Sequence, residues 1–289
     1  MQLYISSNEN KHVINYLSMN GKVVIITGAS SGIGRALAVE YAKRGASLSL
    51  AARRIDQLKL LQAELPKTPI LAIQTDVTNE SDCKELIDLT IRKFGRLDIL
   101  INNAGLSMRA LFDDIDLSSF KQVMDVNFYG TVFCTKYALP FLIESKGSLV
   151  GIISVAGHVG LPARSAYSAS KFAVRGFLDT IRLENLYTGL HVLVAAPGFT
   201  TSEIRKSALT ADGTPQGETP RQEEKMMSAE VCAYLVAEAI TKRKRSLVLT
   251  FKEGKLSVFL GKFWPLLLDR LTFYHMAKET DSPLNKKKK

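Results

Sequence analysis

Short apolar, β-branched runs recur along this chain and are separated by amphipathic stretches of helical period. The runs are Val23 to Thr27, Ser47 to Ala51, Ile70 to Gln74, Ile99 to Asn102, Ser148 to Ser154, His191 to Ala195 and Ser246 to Thr250. Strands that carry little polar alternation are buried on both faces, and their regular alternation with helices predicts a parallel sheet covered on two sides. The expected fold is therefore α/β, doubly wound, with seven mainly parallel strands. A chain of 289 residues with 46% hydrophobic content can bury a substantial core, and nothing marks a second one. The expected division is an N-terminal extension over 1–19, one α/β domain over 20–252 containing a lid at 200–225, and an apolar segment with a lysine tail over 253–289.

The first strand runs into Gly28-Ala-Ser30-Ser31-Gly32-Ile33-Gly34, and the helical pattern Arg35 to Arg44 follows. Strand, glycine turn and helix in this order make the start of a Rossmann dinucleotide site. The glycines allow a tight turn, close backbone approach to a pyrophosphate and close helix–strand packing, with the helix N-terminus facing the anion. The spacing G-x-x-x-G-x-G differs from the ordinary fingerprint, so the flanking strand and helix carry the argument. At the end of the second strand, Ala52 stands where an acidic residue would bind the ribose 2′-hydroxyl of NAD, and Arg53-Arg54 follow. Arginine suits a 2′-phosphate, which favours NADP(H) over NAD(H), with Arg53 the first choice and Arg54 the second.

Tyr167 and Lys171 stand four residues apart, and Ser154 lies thirteen residues before the tyrosine, across a Gly/Pro-punctuated loop. On one helical face the ammonium can lower the phenol from its ordinary value near 10, so that it passes a proton. Ser154, at a strand end, is placed to hold a substrate oxygen while a hydride arrives from the cofactor.

With these residues in order, the chain resembles the short-chain dehydrogenase/reductases over roughly Asn20 to Lys252. Thr27 to Gly34 is similar to that family's cofactor loop, Asp76-Val77 to its adenine-pocket pair, Asn102-Asn103-Ala104-Gly105 to its central-strand motif and Pro197-Gly198 to the turn beside the nicotinamide. The resemblance implies a tetrad of Asn127, Ser154, Tyr167 and Lys171. Tyr167 would be the general acid in reduction, Lys171 would lower its pKa and bind the nicotinamide ribose, Ser154 would orient the carbonyl, and Asn127 would anchor a relay water. It also implies reversible alcohol dehydrogenase chemistry of the EC 1.1.1 type, and a homodimer or homotetramer built partly on the long helices before and around Tyr167. Two departures stand out. Ile153 occupies the place of a frequent serine, and Thr200 with Ser202 replace the usual aliphatic residue and threonine beside the nicotinamide carboxamide. The tail resembles the membrane-associated dehydrogenase/reductase member 7 branch, which implies a lipophilic carbonyl or alcohol as substrate. The alternatives are a catalytically silent nucleotide-binding sensor and a membrane-associated scaffold.

Charge adds little to this. The net charge is +10, but Lys242 to Arg245 and Lys286 to Lys289 supply eight of those charges, so the body is near neutral. No aromatic interleaving or motif points to nucleic acid. Cys83, Cys134 and Cys232 have no paired spacing and are expected to be free thiols of a reducing compartment, and the histidines His12, His158, His191 and His275 show no metal-ligand spacing, so no metal is expected. His158, four residues after Ser154, is a candidate for the substrate mouth. Met1 to Asn20 has neither a basic start nor a long apolar run, so the default expectation is cytoplasmic. Residues 200–225, interrupted by Gly213, Pro215, Gly217 and Pro220, read as a substrate lid. The stretch Leu256 to Leu268, with the only tryptophan, needs a burial partner: the pocket or a subunit interface first, a peripheral membrane contact second.

Overall fold

The computed structural model describes residues 19–220, 224 and 226–288, with the side chains of 286–288 left aside. The elements follow in the order β1 (Val23–Thr27), α1 (Gly32–Lys43), β2 (Ser47–Ala52), α2 (Ile55–Glu64), β3 (Ile70–Gln74), α3 (Glu80–Phe94), β4 (Ile99–Asn102), α4 (Leu117–Met124), a π turn (Asp125–Tyr129), α5 (Gly130–Glu144), β5 (Ser148–Ile152), α6 (Ser165–Glu184), β6 (His191–Ala196), α7 (Ala229–Thr241), β7 (Ser246–Val248), a second π turn (Phe251–Leu256), α8 (Ser257–Phe263) and α9 (Pro265–Ala277). The seven strands pair in the order β3-β2-β1-β4-β5-β6-β7, every pair parallel. This is the doubly wound Rossmann arrangement, and the order reverses between β1 and β4. In open α/β sheets that reversal leaves a crevice beyond the strand C-termini, where ligands bind.

Period-two alternation divides the strand residues between two cores. Val24, Ile26, Leu48, Leu50, Ile101 and Leu193 pack under Leu37 and Tyr41 of α1 and Val236 and Ile240 of α7. Ile25, Leu100, Leu149 and Val192 pack under Leu86 and Ile87 of α3, Leu142 of α5 and Leu178 of α6. Both faces are covered, which is why the strands read as nearly unbroken apolar runs. The exception is β7 at the sheet edge, where Ser246 is exposed and its neighbours are half-buried.

Local signals set the helix ends. Asn79 caps α3 by accepting from Ser81 N at 3.0 Å; Glu80 and Asp82 face the positive end, and Arg92 and Lys93 the negative end. Gly95 then closes it in the left-handed region at φ 72°, its N–H donating to Ile91 O at 2.8 Å. The strand limits differ from expectation at two sites that matter. The fifth strand stops at Ile152, because Ser154 caps a 3-10 turn (Val155–Gly157), and β7 stops at Val248 before the turn at Thr250. Cys83, Cys134 and Cys232 are free and buried. The expected N-terminal extension (except Met19), including His12, the lid residues 221–223 and 225, and the end of the lysine tail fall outside the described residues.

Candidate active site

One cavity of about 740 Å³ opens at the sheet's reversal point and gathers most of the residues singled out from the sequence. Along it lie Gly28, Ser30, Ser31, Gly32 and Ile33 from the glycine loop, Arg53 and Arg54 after β2, and Asp76 and Val77 after β3. Asn103, Ala104 and Gly105 after β4, Ser154, Tyr167, Lys171, and then Pro197, Gly198, Thr200 and Ser202 after β6 complete this wall. Gly34 and Asn127 stand behind the lining.

The glycine loop has room for backbone only. Gly28 sits at φ 67°, and a Cβ there would come 2.8 Å from Ala104 Cα; at Gly34 it would come 2.2 Å from Gly28 O. Thr27 Oγ1 accepts from the N–H groups of Asn103 and Ala104, each at 3.0 Å, and Asn103 Nδ2 donates to Thr27 O at 2.9 Å. Asn103 is thus a strut that fixes the loop, although its residue borders the cavity. The cradle so formed, ending at the N-terminus of α1, fits the pyrophosphate of a dinucleotide.

The two arginines differ. Arg54 spans the loop, donating to Ser31 Oγ at 2.9 Å and Ser30 Oγ at 3.1 Å, and pairs with Glu203 at 3.4 Å. Arg53 borders the cavity, and its side chain has no hydrogen bond or ion pair with a described residue. Asp76 Oδ1 accepts from Thr78 N at 3.0 Å and Thr78 Oγ1 at 2.8 Å, and Val77 packs against Gly130, where an added Cβ would meet it at 2.7 Å.

At the other end, Tyr167 and Ser154 both line the cavity, with the serine hydroxyl close enough to favour the ionised phenol. Ser154 is held in place as a cap, accepting from Ala156 N at 3.2 Å. Tyr167 and Lys171 do share a face of α6, with the ammonium 5.7 Å from the phenol ring centre. That ammonium donates to Ile152 O at 2.9 Å, and its burial lowers it to about 8. Burial raises the phenol above its ordinary value. The nearby Ser154 hydroxyl and the charges of Arg164 and Arg205 oppose that rise. The expected depression of Tyr167 by Lys171 is therefore not the balance found in this geometry. Enclosure wins, and the opposing cations are arginines at the start of α6 and in the lid, neither of which was singled out as functional from the sequence.

Asn127 lies in the π turn, where the irregular backbone turns its amide onto the neighbouring loop. Its Oδ1 accepts from Leu106 N at 2.7 Å, and its Nδ2 donates to Leu106 O at 2.9 Å and Ser170 Oγ at 2.8 Å. It joins the loop after β4 to α6 instead of satisfying its own helix.

His158 is not part of the cavity wall. It bonds Arg175 on α6 at 2.9 Å, and burial with that neighbouring charge lowers it to about 4. The histidine that borders the cavity is His275 of α9, beside Phe199, with Glu279 beyond it. An isolated histidine and glutamate after a long apolar stretch carry no spacing signal, so only the folded arm reveals them.

Thr200, Ser202, Ile204 and Arg205 of the expected lid line the cavity. This segment is stitched down, with Leu209 N donating to Ser107 O at 2.9 Å and Arg109 N to Leu209 O at 2.8 Å. The apolar C-terminal stretch faces two ways. Leu260 and Leu268 pack with Val155 and Val159 over the cavity, which accords with the pocket expectation. Phe259, Phe263, Trp264, Leu266 and Tyr274 are exposed on the outside. No helix among the described residues is long and apolar enough to cross a membrane.

Comparison with known proteins adds independent findings. Residues 22–213 match the family described as short chain dehydrogenase. The chain is 43% identical over 198 residues to 11-beta-hydroxysteroid dehydrogenase-like 2 of Arabidopsis thaliana, covering 67% of this chain and 64% of that protein. It is 39% identical over 230 residues to 11-beta-hydroxysteroid dehydrogenase-like 4A of the same plant, covering 78% and 75%. Several other such relatives are spanned over only 54% of their length. Among solved structures, a short chain dehydrogenase/reductase from Burkholderia phymatum in complex with NAD superposes with a TM-score of 0.72 at 25% identity, over 79% of this chain and 89% of that one. An alcohol dehydrogenase from Thermococcus sibiricus complexed with 5-hydroxy-NADP does so with a TM-score of 0.68 at 24% identity, over 78% and 93%, and speaks for the fold alone. These relatives do not single out the member 7 branch.

Proposed function

The chain belongs to the short-chain dehydrogenase family, and on that premise we propose that it is an oxidoreductase that reversibly reduces a ketone or aldehyde, uses NADP(H) in preference to NAD(H), and acts on a lipophilic substrate. The observation that carries this reading is that Ser154, Tyr167 and Lys171 line one cavity with the glycine cradle and the unpaired Arg53 side chain. NADPH held by the glycine cradle would supply the hydride for the carbonyl carbon. Ser154 donates a hydrogen bond to the carbonyl oxygen and orients it, and Tyr167 passes its proton to that oxygen. Enclosure that raises the phenol keeps the proton in place until the substrate arrives. Lys171, anchored on Ile152 O, is positioned to hold the nicotinamide ribose, and Asn127 fixes Leu106 against α6. Arg53 would hold the 2′-phosphate.

The lipophilic substrate is supported by Val155, Val159, Leu161, Leu260, Leu268 and Leu271, which line the outer half of the cavity. Two surface features support the partners proposed. Phe172, Leu183, Leu186 and Tyr187 are exposed on α6 and just after it, in keeping with a homo-oligomer built on the long helices. The apolar outer face of α8 and α9, flanked by Lys252, Lys255, Lys262 and Arg270, suits a peripheral contact with an anionic membrane.

The test is a fluorescence titration with NADPH and NADH, followed by turnover on short, aromatic and long-chain carbonyls. Tighter NADPH binding and turnover that Tyr167→Phe abolishes, with NADPH binding spared, are expected. Binding without turnover on any carbonyl would favour a silent nucleotide-binding protein, and unchanged activity in Tyr167→Phe would overturn the assigned chemistry.

A further inference from the structure

The arm formed by α8, α9 and the residues after them reaches the start of α6 through a largely buried ion cluster. Glu279 accepts from Arg164 Nη2 at 3.1 Å and lies 3.5 Å from Arg109 Nε; the three side chains are 4%, 12% and 9% exposed. Arg109 also donates to the Thr280 carbonyl. The same short segment holds two other parts of the site, since Arg109 N donates to Leu209 O in the lid at 2.8 Å and Ala110 N donates to Ala163 O at 3.2 Å. Leu111 packs with Met276, Ala277 and Leu284 of the arm. Residues 107–111 therefore bind the lid, the N-terminal end of α6 and the arm together.

Arg164 is the N-cap residue of α6, three residues before Tyr167, and both Arg164 and Glu279 border the cavity. Burying a carboxylate is costly unless cations and hydrogen bonds offset it. Here two guanidinium groups and the positive end of α6 do so, and the carboxylate in turn tempers the positive charge beside the phenol.

We propose that Glu279 is a positioning residue of the active site, which holds the arm closed over the substrate cavity and sets, through Arg164, the electrostatic field in which Tyr167 works. This inference rests on the reading of Tyr167 as the proton donor. The groups that act on Tyr167 are Ser154 after β5, Arg164 from the start of its own helix and Arg205 from the segment after β6, with the Lys171 ammonium 5.7 Å from its ring centre; His275 and Glu279 of the arm line the same cavity. Arg164 and Arg205 act to lower the phenol. Loss of the Glu279 charge leaves that of Arg164 less balanced, so the phenol falls and loses its proton at lower pH.

The test compares wild type with Glu279→Gln, Glu279→Asp and Arg109→Gln in three measurements: the pH profile of carbonyl reduction, KM for decanal, and Kd for NADPH. In Glu279→Gln the basic limb of the profile moves to lower pH and KM rises several-fold, while NADPH Kd stays at the wild-type value; Glu279→Asp restores the limb. Arg109→Gln weakens the hold on the arm and raises KM. A wild-type limb and KM in Glu279→Gln overturn the proposal. Should that variant fail to bind NADPH, Arg109→Gln decides, and an unchanged KM there overturns it. Normal wild-type turnover with Glu279→Gln unaltered sinks this inference alone, whereas a wild-type protein inactive on every carbonyl sinks the parent reading and this one with it.

Discussion

Arg53 and Arg54 are neighbours in the chain but not in circumstance. Arg54 is engaged with Ser30, Ser31 and Glu203, whereas Arg53 borders the cavity with its charge unpaired among the described residues. Arg53→Ala is expected to cost about 1.5 to 3 kcal/mol of NADPH binding, the value of a charge-assisted contact, and to leave NADH binding nearly unchanged. Fluorescence titration with both nucleotides checks it, and equal losses would move the phosphate site elsewhere. Position after β2 was all the sequence offered for ranking the two arginines; that Arg54 is engaged and the Arg53 side chain is not depends on Ser30, Ser31 and Glu203, brought in from other segments. The balance on Tyr167 was not legible in the sequence either. Helical spacing brings Arg164 and Lys171 to it, but Arg205 comes from the segment after β6, and how far burial outweighs these charges has no signature in the sequence.

Among the elements, the strands and the glycine turn were the most legible, since a strand buried on both faces has few alternatives to an apolar, β-branched run. The pairing of α1 with α7 was not, because its key residues are nearly 200 positions apart. Arg44 is buried between these helices, 2.7 Å from Glu40 and 3.1 Å from Glu238, in a cluster joined by Lys242. Arg44→Met would strand Glu40 in the interior while Glu238 keeps Lys242. The expected destabilisation lies near the lower end of about 3 to 5 kcal/mol, read as a fall in the urea midpoint. A midpoint within error of wild type would show that the cluster is not structural. Ser154 illustrates a boundary that local pattern misjudged. The apolar run extends to it, but its hydroxyl caps the following 3-10 turn, and the residue lines the cavity from there.

At the scale of the whole molecule, the arm gives the apolar C-terminal stretch two faces. The inward one roofs the cavity, and the outward one exposes Phe259, Phe263, Trp264 and Leu266 beside basic residues. Vesicles containing anionic lipid are expected to carry the protein upward in a flotation gradient at low salt, with loss on replacing Phe263 and Trp264 by serine. Failure of the wild-type protein to float with anionic vesicles removes the membrane contact. The sequence by itself determined the alternation of strand and helix, the glycine cradle and the four-residue spacing of Tyr167 and Lys171, because each is fixed by contacts or periodicity within a few turns of chain. Only the tertiary structure decided that the arm closes the pocket, that Glu279 meets Arg164 and Arg109, and that burial outweighs nearby cations at the phenol. Those outcomes depend on burial and on charges brought together from distant segments, and neither quantity exists until the chain has folded.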